Sequence, residues 1–524
     1  MFKGHPKGLI WAALSNMGER FGYYIMNAVL VLFLCSKFGI PDDTAGFIFS
    51  VFYFMIYIMA LPGGWVADKL QNYKGTIAAG LIVMAVGYAM LSIPTTVSPE
   101  NKMAMLVLIC AALLIITIGN GLFKGNLQAI VGQMYDDLEA EAAKKGPEAL
   151  AEAQSKRDPG FQIFYVFINL GGVFAPFVAP NIRKWWLAKS DMVYNSDLPA
   201  LCHQYLNDAT GMTDIQMANL QTWMEASNHN FTAGADMAAA CESYLQVFNT
   251  GVHYSFIASI AAMLLSFIIF MITKKMYPTP VKKEKKEVTN YTPEERVAMA
   301  KDIKQRMAGL YAVLGIVIFF WFSFHQNTQS LTIFTRNFVN SDQVAPEVWQ
   351  FLNPFLVIVL TPIIMWLFST PWGRKFSTPK KIAVGMGFAA CAYIFLTIFS
   401  MIVGYPSGTA FMAQDAATIA SQKCGAWVLI ITYFFLTVAE LFISPLGLSF
   451  VSKIAPKHLQ GICQGLWLGA TAIGNLIIFL GVKMLNNFPH LWMTWITFAI
   501  ICLIAMSVMF GMLKWLEKIT SQQQ

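Results

Sequence analysis

Apolar residues in this chain fall into long blocks separated by short polar turns. Twelve blocks of spanning length can be drawn: 9–36, 44–68, 75–94, 103–134, 160–187, 247–273, 308–338, 347–369, 381–404, 424–452, 458–487 and 489–513. A helix needs about 20 apolar residues to cross a bilayer, so the longer blocks predict tilt or extension past the headgroups. Polar positions inside the blocks are few, and in the first they keep helical spacing: Asn16, Arg20, Tyr23, Tyr24 and Asn27 share one stripe. Glu19 and Arg20 stand side by side between apolar flanks at 9–14 and 25–34. A charge at bilayer depth costs about 2.5–3.5 kcal/mol even on insertion-based scales, so the pair predicts a partner, a wet cavity or both. Such a stripe predicts the lining of a path through the membrane, not a lipid face.

Composition and charge agree with this pattern. The chain is 56% hydrophobic and 12% charged over 524 residues, against about 25% charged in a soluble domain. A soluble protein is excluded, and membrane lipid is the expected surrounding. The N-terminal segment lacks an A-x-A-like cleavage site, so the first block is expected to stay as a span, with no signal peptide removed. Of the 36 Lys and Arg residues, 26 fall in segments on one side of the predicted membrane, 8 on the other, and Arg20 and Lys124 within spans. That asymmetry satisfies the positive-inside rule and predicts a multi-pass protein of the cell membrane with both termini cytoplasmic. It assigns the net charge of +7 to topology, and no nucleic-acid partner is expected.

Segment 274–306 carries ten Lys/Arg against five acids and divides six spans from six. It reads as a cytoplasmic linker, with an amphipathic helix over 293–306 and an affinity for anionic headgroups. The predicted halves are 1–273 and 307–524. Their cytoplasmic corners echo each other: Gly63-Gly64-Trp65-Val66-Ala67-Asp68-Lys69 follows the second span and Pro371-Trp372-Gly373-Arg374-Lys375 the eighth. Two such halves describe an all-α major facilitator fold, with substrate bound at the midplane between them.

Residues 188–246 form a long outside insertion in the first half. From 190 to 246 it holds seven acids and no Lys or Arg, with a short helix expected over 214–226. Cys202 and Cys241 both lie in it; an oxidising compartment permits a disulfide, and two cysteines alone do not decide whether one forms. The other six cysteines fall in or beside spans and read as packing residues. Asn230-Phe231-Thr232 fits a glycosylation acceptor, a signal without meaning in a bacterial host.

Five further spans hold isolated polar groups. Lys124 stands among Gly119, Gly121 and Gly125, which let a neighbouring helix approach; Asn169 lies in the fifth span. The seventh carries Trp321 and His325, taken as the one histidine of seven well inside a span, and in the eighth Asn353-Pro354 is expected to break the backbone ladder. Glu440 and Ser444 lie one turn apart before Pro445. Lys124 and Glu440, one in each half, make the obvious ion pair across the midplane. Against each stands a plainer role: a permanent bridge for the pair, and packing for His325, Tyr57 and Trp467. No His-Glu-x-x-His, Cys-x-x-Cys or Gly-x-Ser-x-Gly occurs, so neither enzyme, metal site nor cofactor is expected. A channel would need a continuous polar pore.

Four motifs, in order, carry a resemblance: Glu19-Arg20-Phe21-x-Tyr23-Tyr24, Gly63-Gly64-x-x-Ala67-Asp68, Phe164-Tyr165-x-x-Ile168-Asn169-x-Gly171 and Glu440-Leu441-x-x-Ser444-Pro445-x-Gly447-Leu448-Ser449. The chain resembles the proton-dependent oligopeptide transporter family of the major facilitator superfamily. The resemblance implies a monomer that imports di- and tripeptides with protons. It implies a cavity lined by Arg20, Tyr23, Tyr24, Tyr57, Lys124, Asn169, Trp321, Asn353, Glu440, Ser444 and Trp467. Arg20 and Lys124 would face the peptide carboxylate, and Asn169, Asn353 and Glu440 its amino group. Glu19, Arg20, Lys124, His325 and Glu440 would serve proton coupling, with protonation of Glu440 releasing Lys124. Three positions depart from the family: Asn16 replaces the first glutamate of Glu-x-x-Glu-Arg, Asn27 a frequent arginine and His325 a common acid. Both charges of a bridge between spans one and seven are then lost together, which is electrically consistent and leaves Asn27 opposite His325. A histidine there can carry protons near neutral pH. The 31 residues of 276–306 leave no room for the two extra spans some family members have. Carriage of another small solute, weak or altered proton coupling, and a peptide-binding sensor remain as alternatives.

Overall fold

The computed structural model describes residues 4–232, 234–278, 293–341, 344–455 and 460–521. Among these the chain is helical, without a named strand, and twelve helical segments are long and apolar enough to cross a membrane. They are Gly8–Phe38, Asp42–Leu70, Tyr73–Ser92, Lys102–Ala143, Pro147–Ala188, Met237–Met276, Ala300–Phe338, Pro346–Ser369, Thr378–Val403, Trp427–Val451, Ile462–Asn487 and Leu491–Gly511. Each expected block has its helix. An even number of spans places both termini at one face, and the insertion at the opposite face.

The differences from expectation lie where polar residues continue a helix. The sixth begins at Met237 rather than 247, its first turn capped by the Asp236 carboxylate on the Ala238 and Ala239 amides. The fourth runs on to Ala143. The second is two helices, Asp42–Ile58 and Ala60–Leu70, meeting at Met59. The seventh tightens to a 3₁₀ turn at His325–Asn327 before Ser330–Phe338. Pro354 does not break a ladder: it sits in the first turn of Leu352–Ser369, where its missing N–H has no partner to lose. Residues 279–292 of the expected linker lie outside the described residues; from Pro293 the helix runs without interruption into the seventh span.

The first span packs on the fifth and sixth, the third on the fourth, and the ninth on the tenth and twelfth; across the halves the second meets the eleventh and the fifth the eighth. Glycine makes the tightest approach. A Cβ at Gly80 would lie 2.7 Å from the Gly119 carbonyl oxygen, so the third and fourth spans meet backbone to backbone. Large apolar side chains such as Ile272, Trp366 and Ile402 point outward, as a helix bundle in lipid requires.

The insertion folds on its own core. Helices Leu198–Asp208 and Asp214–Ser227, the second started by a Thr213/Gln216 capping box, bury Leu201, Cys202, Leu220, Met224, Cys241 and Phe248. Cys202 and Cys241 are both free thiols buried in that core. Burial, then its hydrogen bond to Cys241, holds the Cys202 thiol well above the usual range.

Candidate functional site

At the insertion face the two halves are clasped shut. Asp42, at the start of the second span, takes both Nη atoms of Arg336 at 3.0 and 2.6 Å and the Asn486 amide at 3.3 Å. Arg183 and Glu347, 2% and 0% exposed, pair at 2.7 Å between the fifth and eighth spans. One turn deeper, Gln329 donates to the Gly46 carbonyl and to Ser50, which also receives the Phe479 amide. Sequence reasoning counted these arginines only as loop charges. Their partners are distant in the chain, and no local spacing announces them.

At mid-depth the polar stripe of the first span meets the fourth. Arg20 lies flat on its neighbour Glu19 through two hydrogen bonds of 2.5 and 2.6 Å, with its guanidinium 4.8 Å from the Tyr23 ring. Asn120, one turn before Lys124, donates to the same carboxylate at 2.8 Å. The expected costly pair therefore has two further partners, Asn120 and Tyr23, and is closed to water. Asn120 was not foreseen, because an asparagine in an apolar helix carries no signal until its partner is placed.

Lys124 and Glu440 do not pair. The Lys124 ammonium lies over the Tyr57 ring at 4.5 Å, while Glu440 accepts from Asn353 at 2.8 Å and meets the Tyr165 hydroxyl. Among the described residues no ion pair joins the two charges. The physical reason is that each charge has another partner: the Tyr57 ring for the ammonium, Asn353 and Tyr165 for the carboxylate. Tyr24, Tyr57, Lys124, Tyr165, Asn353, Glu440 and Ser444 are all half-buried. Tyr23, Asn169, Trp321 and Trp467 are buried behind them. Asn169 turns its amide back to the Tyr165 carbonyl at 3.0 Å, and Trp467 packs over Gly447.

Among the described hydrogen bonds His325 and Asn27 do not join each other. The His325 Nδ1 donates to the Asn475 carboxamide oxygen at 2.5 Å, and its ring stacks on Trp321 at 4.9 Å and abuts Tyr53 at 5.1 Å. Asn27 instead accepts from the Tyr23 hydroxyl at 3.1 Å. Nor is His325 alone: His253 is 1% exposed in the sixth span, bonded to Lys37 at 2.7 Å and to the Leu91 carbonyl at 2.5 Å. It went unseen because the helix extends ten residues beyond its apolar run, which places His253 deeper among neighbours than the hydropathy boundary suggested.

The profile described as the POT family (PTR2) matches residues 74–293 and 284–496. A "Dipeptide and tripeptide permease B" from Photorhabdus luminescens is 27% identical over 480 residues, covering 90% of this chain and 86% of that protein. A "Dipeptide and tripeptide permease A" from Escherichia coli is 26% identical over 483 residues, covering 90% and 83%. The crystal structure of a peptide transporter POT in complex with sulfate superposes with a TM-score of 0.68 at 20% identity over 99% of this chain and 96% of that one. That of a POT family transporter in complex with 5-aminolevulinic acid superposes at 0.66 with 19% identity, over 99% and 98%. The fold is shared with those transporters, and the matched residues, which cover most of the sequence, settle the family: this chain belongs to the POT family.

Proposed function

We propose that the protein imports di- and tripeptides across the cell membrane by alternating access, coupled to inward proton movement. The observation that supports it is the opposition of Lys124 and Glu440 across the halves, each half-buried and neither paired with the other. A zwitterionic peptide carries one carboxylate and one ammonium whatever its side chains, so two fixed charges on facing walls bind its ends and leave the middle free to vary. Arg20 is already engaged with Glu19, so Lys124 takes the carboxylate and Arg20 steadies the wall beside it. Glu440 and Asn353 take the ammonium, with Asn169 offering its carbonyl oxygen. Tyr24, Tyr57 and Ser444 line the sides, and Tyr23, Trp321 and Trp467 back them. The relatives named as dipeptide and tripeptide permeases support this substrate class. The 5-aminolevulinic acid held by a structural neighbour has the same two charged ends without a peptide bond, so single zwitterions come within reach of the site.

Units 1–273 and 307–524 rock about the site, joined by the 274–306 linker, and one chain supplies both walls, so a monomer suffices. The terminus face is cytoplasmic, on the strength of the 26 against 8 positive charges. The clasped face is then the outside, and the site opens to the cytoplasm. Glu440 is the proton carrier the geometry favours, being open to the cavity: protonating it discharges the wall that holds the ammonium and frees the peptide inward. One charge crossing 100 mV supplies about 2.3 kcal/mol, near 50-fold accumulation per proton. A second reading, peptide carriage with weak or altered coupling, draws support from Asn16 and from His325, whose Nδ1 is committed to Asn475.

Counterflow of labelled dialanine into proteoliposomes, with and without a pH gradient, tests both. The first reading expects gradient-driven accumulation that Glu440→Gln abolishes, and full accumulation by that variant refutes the scheme. Counterflow without accumulation in the unaltered protein selects the second reading. Binding without flux makes the protein a sensor.

A further inference from the structure

The insertion has no part in the transport scheme, yet it touches both halves, and with different chemistry. Toward the first half it is an apolar graft. Every residue of its buried core comes from the insertion itself or from the adjoining ends of the fifth and sixth spans, from Leu187 to Phe248. The His203 Nε2 adds a bond of 2.7 Å to the Ser36 carbonyl at the end of the first span. Packing of this kind does not separate and re-form in a transport cycle, so the insertion moves with the first half.

Toward the second half the contact is polar and sparse. Asn219, 4% exposed, donates to the Gln414 carbonyl at 2.8 Å and accepts the Ala416 amide at 2.8 Å. One carboxamide thus satisfies a donor and an acceptor of the backbone in the segment between the ninth and tenth spans. Asp197 meets Lys423 at 3.4 Å, and that ammonium also caps the Arg336 carbonyl at 3.2 Å. Tyr194 lies 4.2 Å over the Arg183 guanidinium, the cation of the buried clasp. Beneath these contacts is a cavity of about 550 Å³ lined by Asp42, His203, Asn207, Arg336 and Asn486, among others. An interface of a few directed hydrogen bonds over open space can part without exposing an apolar core.

We propose that the insertion is a latch. It rides on the first half, hooks the 404–426 segment of the second through Asn219, and holds the outer face shut, biasing the protein toward the state whose site faces inward. Opening outward must break the Asn219 hook and the Asp197–Lys423 contact each cycle. The inference rests on the alternating-access reading but not on the identity of the solute.

The test is a distance, measured without peptide. Spin labels at Glu100→Cys and Lys483→Cys, exposed positions on the outer ends of the two halves, report opening in the full chain carrying Cys391→Ser in nanodiscs. Asn219→Ala is expected to raise the long-distance, outward-open population about tenfold, and Asn219→Asp, which keeps the acceptor and loses the donor, by less. Oxidising Asn219→Cys with Gln414→Cys should do the reverse, fixing the short distance until a reductant is added. Unchanged distances in Asn219→Ala, with the locked pair also without effect, overturn the latch. A shift in distances from a protein that carries no dialanine supports the latch and refutes the peptide reading instead.

Discussion

The outer clasp and the midplane cluster are both built from charges inside a membrane bundle, and they treat those charges in opposite ways. At the clasp, Arg183 and Glu347 are sealed from water and Arg336 is bonded at both Nη atoms to one carboxylate. At the midplane, Lys124 rests on an aromatic face and Glu440 on an amide, each half-buried and, among the described residues, in no ion pair. The first arrangement minimises free energy in one conformation, and removing a partner strands a buried charge. The second leaves interaction energy unspent until a ligand with both charges arrives. Glu19–Arg20 stands between them, paired and dry like the clasp but placed beside the cavity.

The largest effect follows from that contrast. Arg183→Ala leaves Glu347, 0% exposed, without its cation, and is expected to lower stability by about 3–5 kcal/mol. Replacing both residues by methionine should recover most of it. Lys124→Ala strands nothing, because its partner is a ring, and its unfolding midpoint should stay close to that of the unaltered protein. Thermal unfolding in detergent measures all three. Equal losses in Arg183→Ala and Lys124→Ala would erase the distinction between the two regions.

Next in size is peptide binding. Lys124→Ala or Glu440→Gln removes one charge-assisted bond to the ligand, about 1.5–3 kcal/mol, or 10- to 150-fold in Kd. Calorimetry with dialanine should show it, while Arg183→Met with Glu347→Met together leave the affinity within a fewfold. Were the clasp double variant to lose affinity as the midplane variants do, the two regions would be one coupled site.

The span count and the motif residues were legible in the chain because hydropathy and helical spacing are local. Twelve runs gave twelve spanning segments among the described residues, and Asn353 and Glu440 do meet. What was not legible is which polar groups touch. Lys124 and Glu440 looked like partners by charge complementarity, yet Tyr57 and Asn353 take them instead, contacts that composition does not encode. His325 and Asn27 looked like partners by family analogy, whereas Asn475 and Tyr23 reach them first. The sixth helix outran its apolar block because its first turns, with Glu242 and Asp236, lie in the insertion and not in lipid.

A smaller effect separates packing from proton carriage at His325. Held by Asn475 and enclosed by Trp321, Phe324 and Tyr53, it is 5% exposed, whereas Glu440 is half-buried. His325→Gln is expected to slow uptake about threefold, in line with one lost hydrogen bond of roughly 0.5–1 kcal/mol, with the pH profile of uptake unmoved. A displaced profile would make His325 a carrier and join the seventh span to the midplane chemistry.

The smallest effect belongs to the insertion. Burial and the Lys102 charge hold the His203 imidazole below its usual 6.5, outweighing the opposing bond to Ser36. The folded chain therefore takes up this proton later than the unfolded chain does. The stabilisation from neutral His203 is complete above the unfolded value and is lost as pH falls below it. His203 sits where the insertion meets the first span, and charging its buried imidazole costs desolvation that the bond to Ser36 does not recover, so acidification loosens the graft on the first half and leaves the Arg183–Glu347 clasp untouched. His203→Gln retains an amide donor and removes the titration. The difference in unfolding midpoint between pH 7.5 and pH 5.5 should therefore be smaller in this variant than in the unaltered protein. If the difference is the same in both, the acid sensitivity lies elsewhere and the insertion is as indifferent to pH as the clasp beneath it.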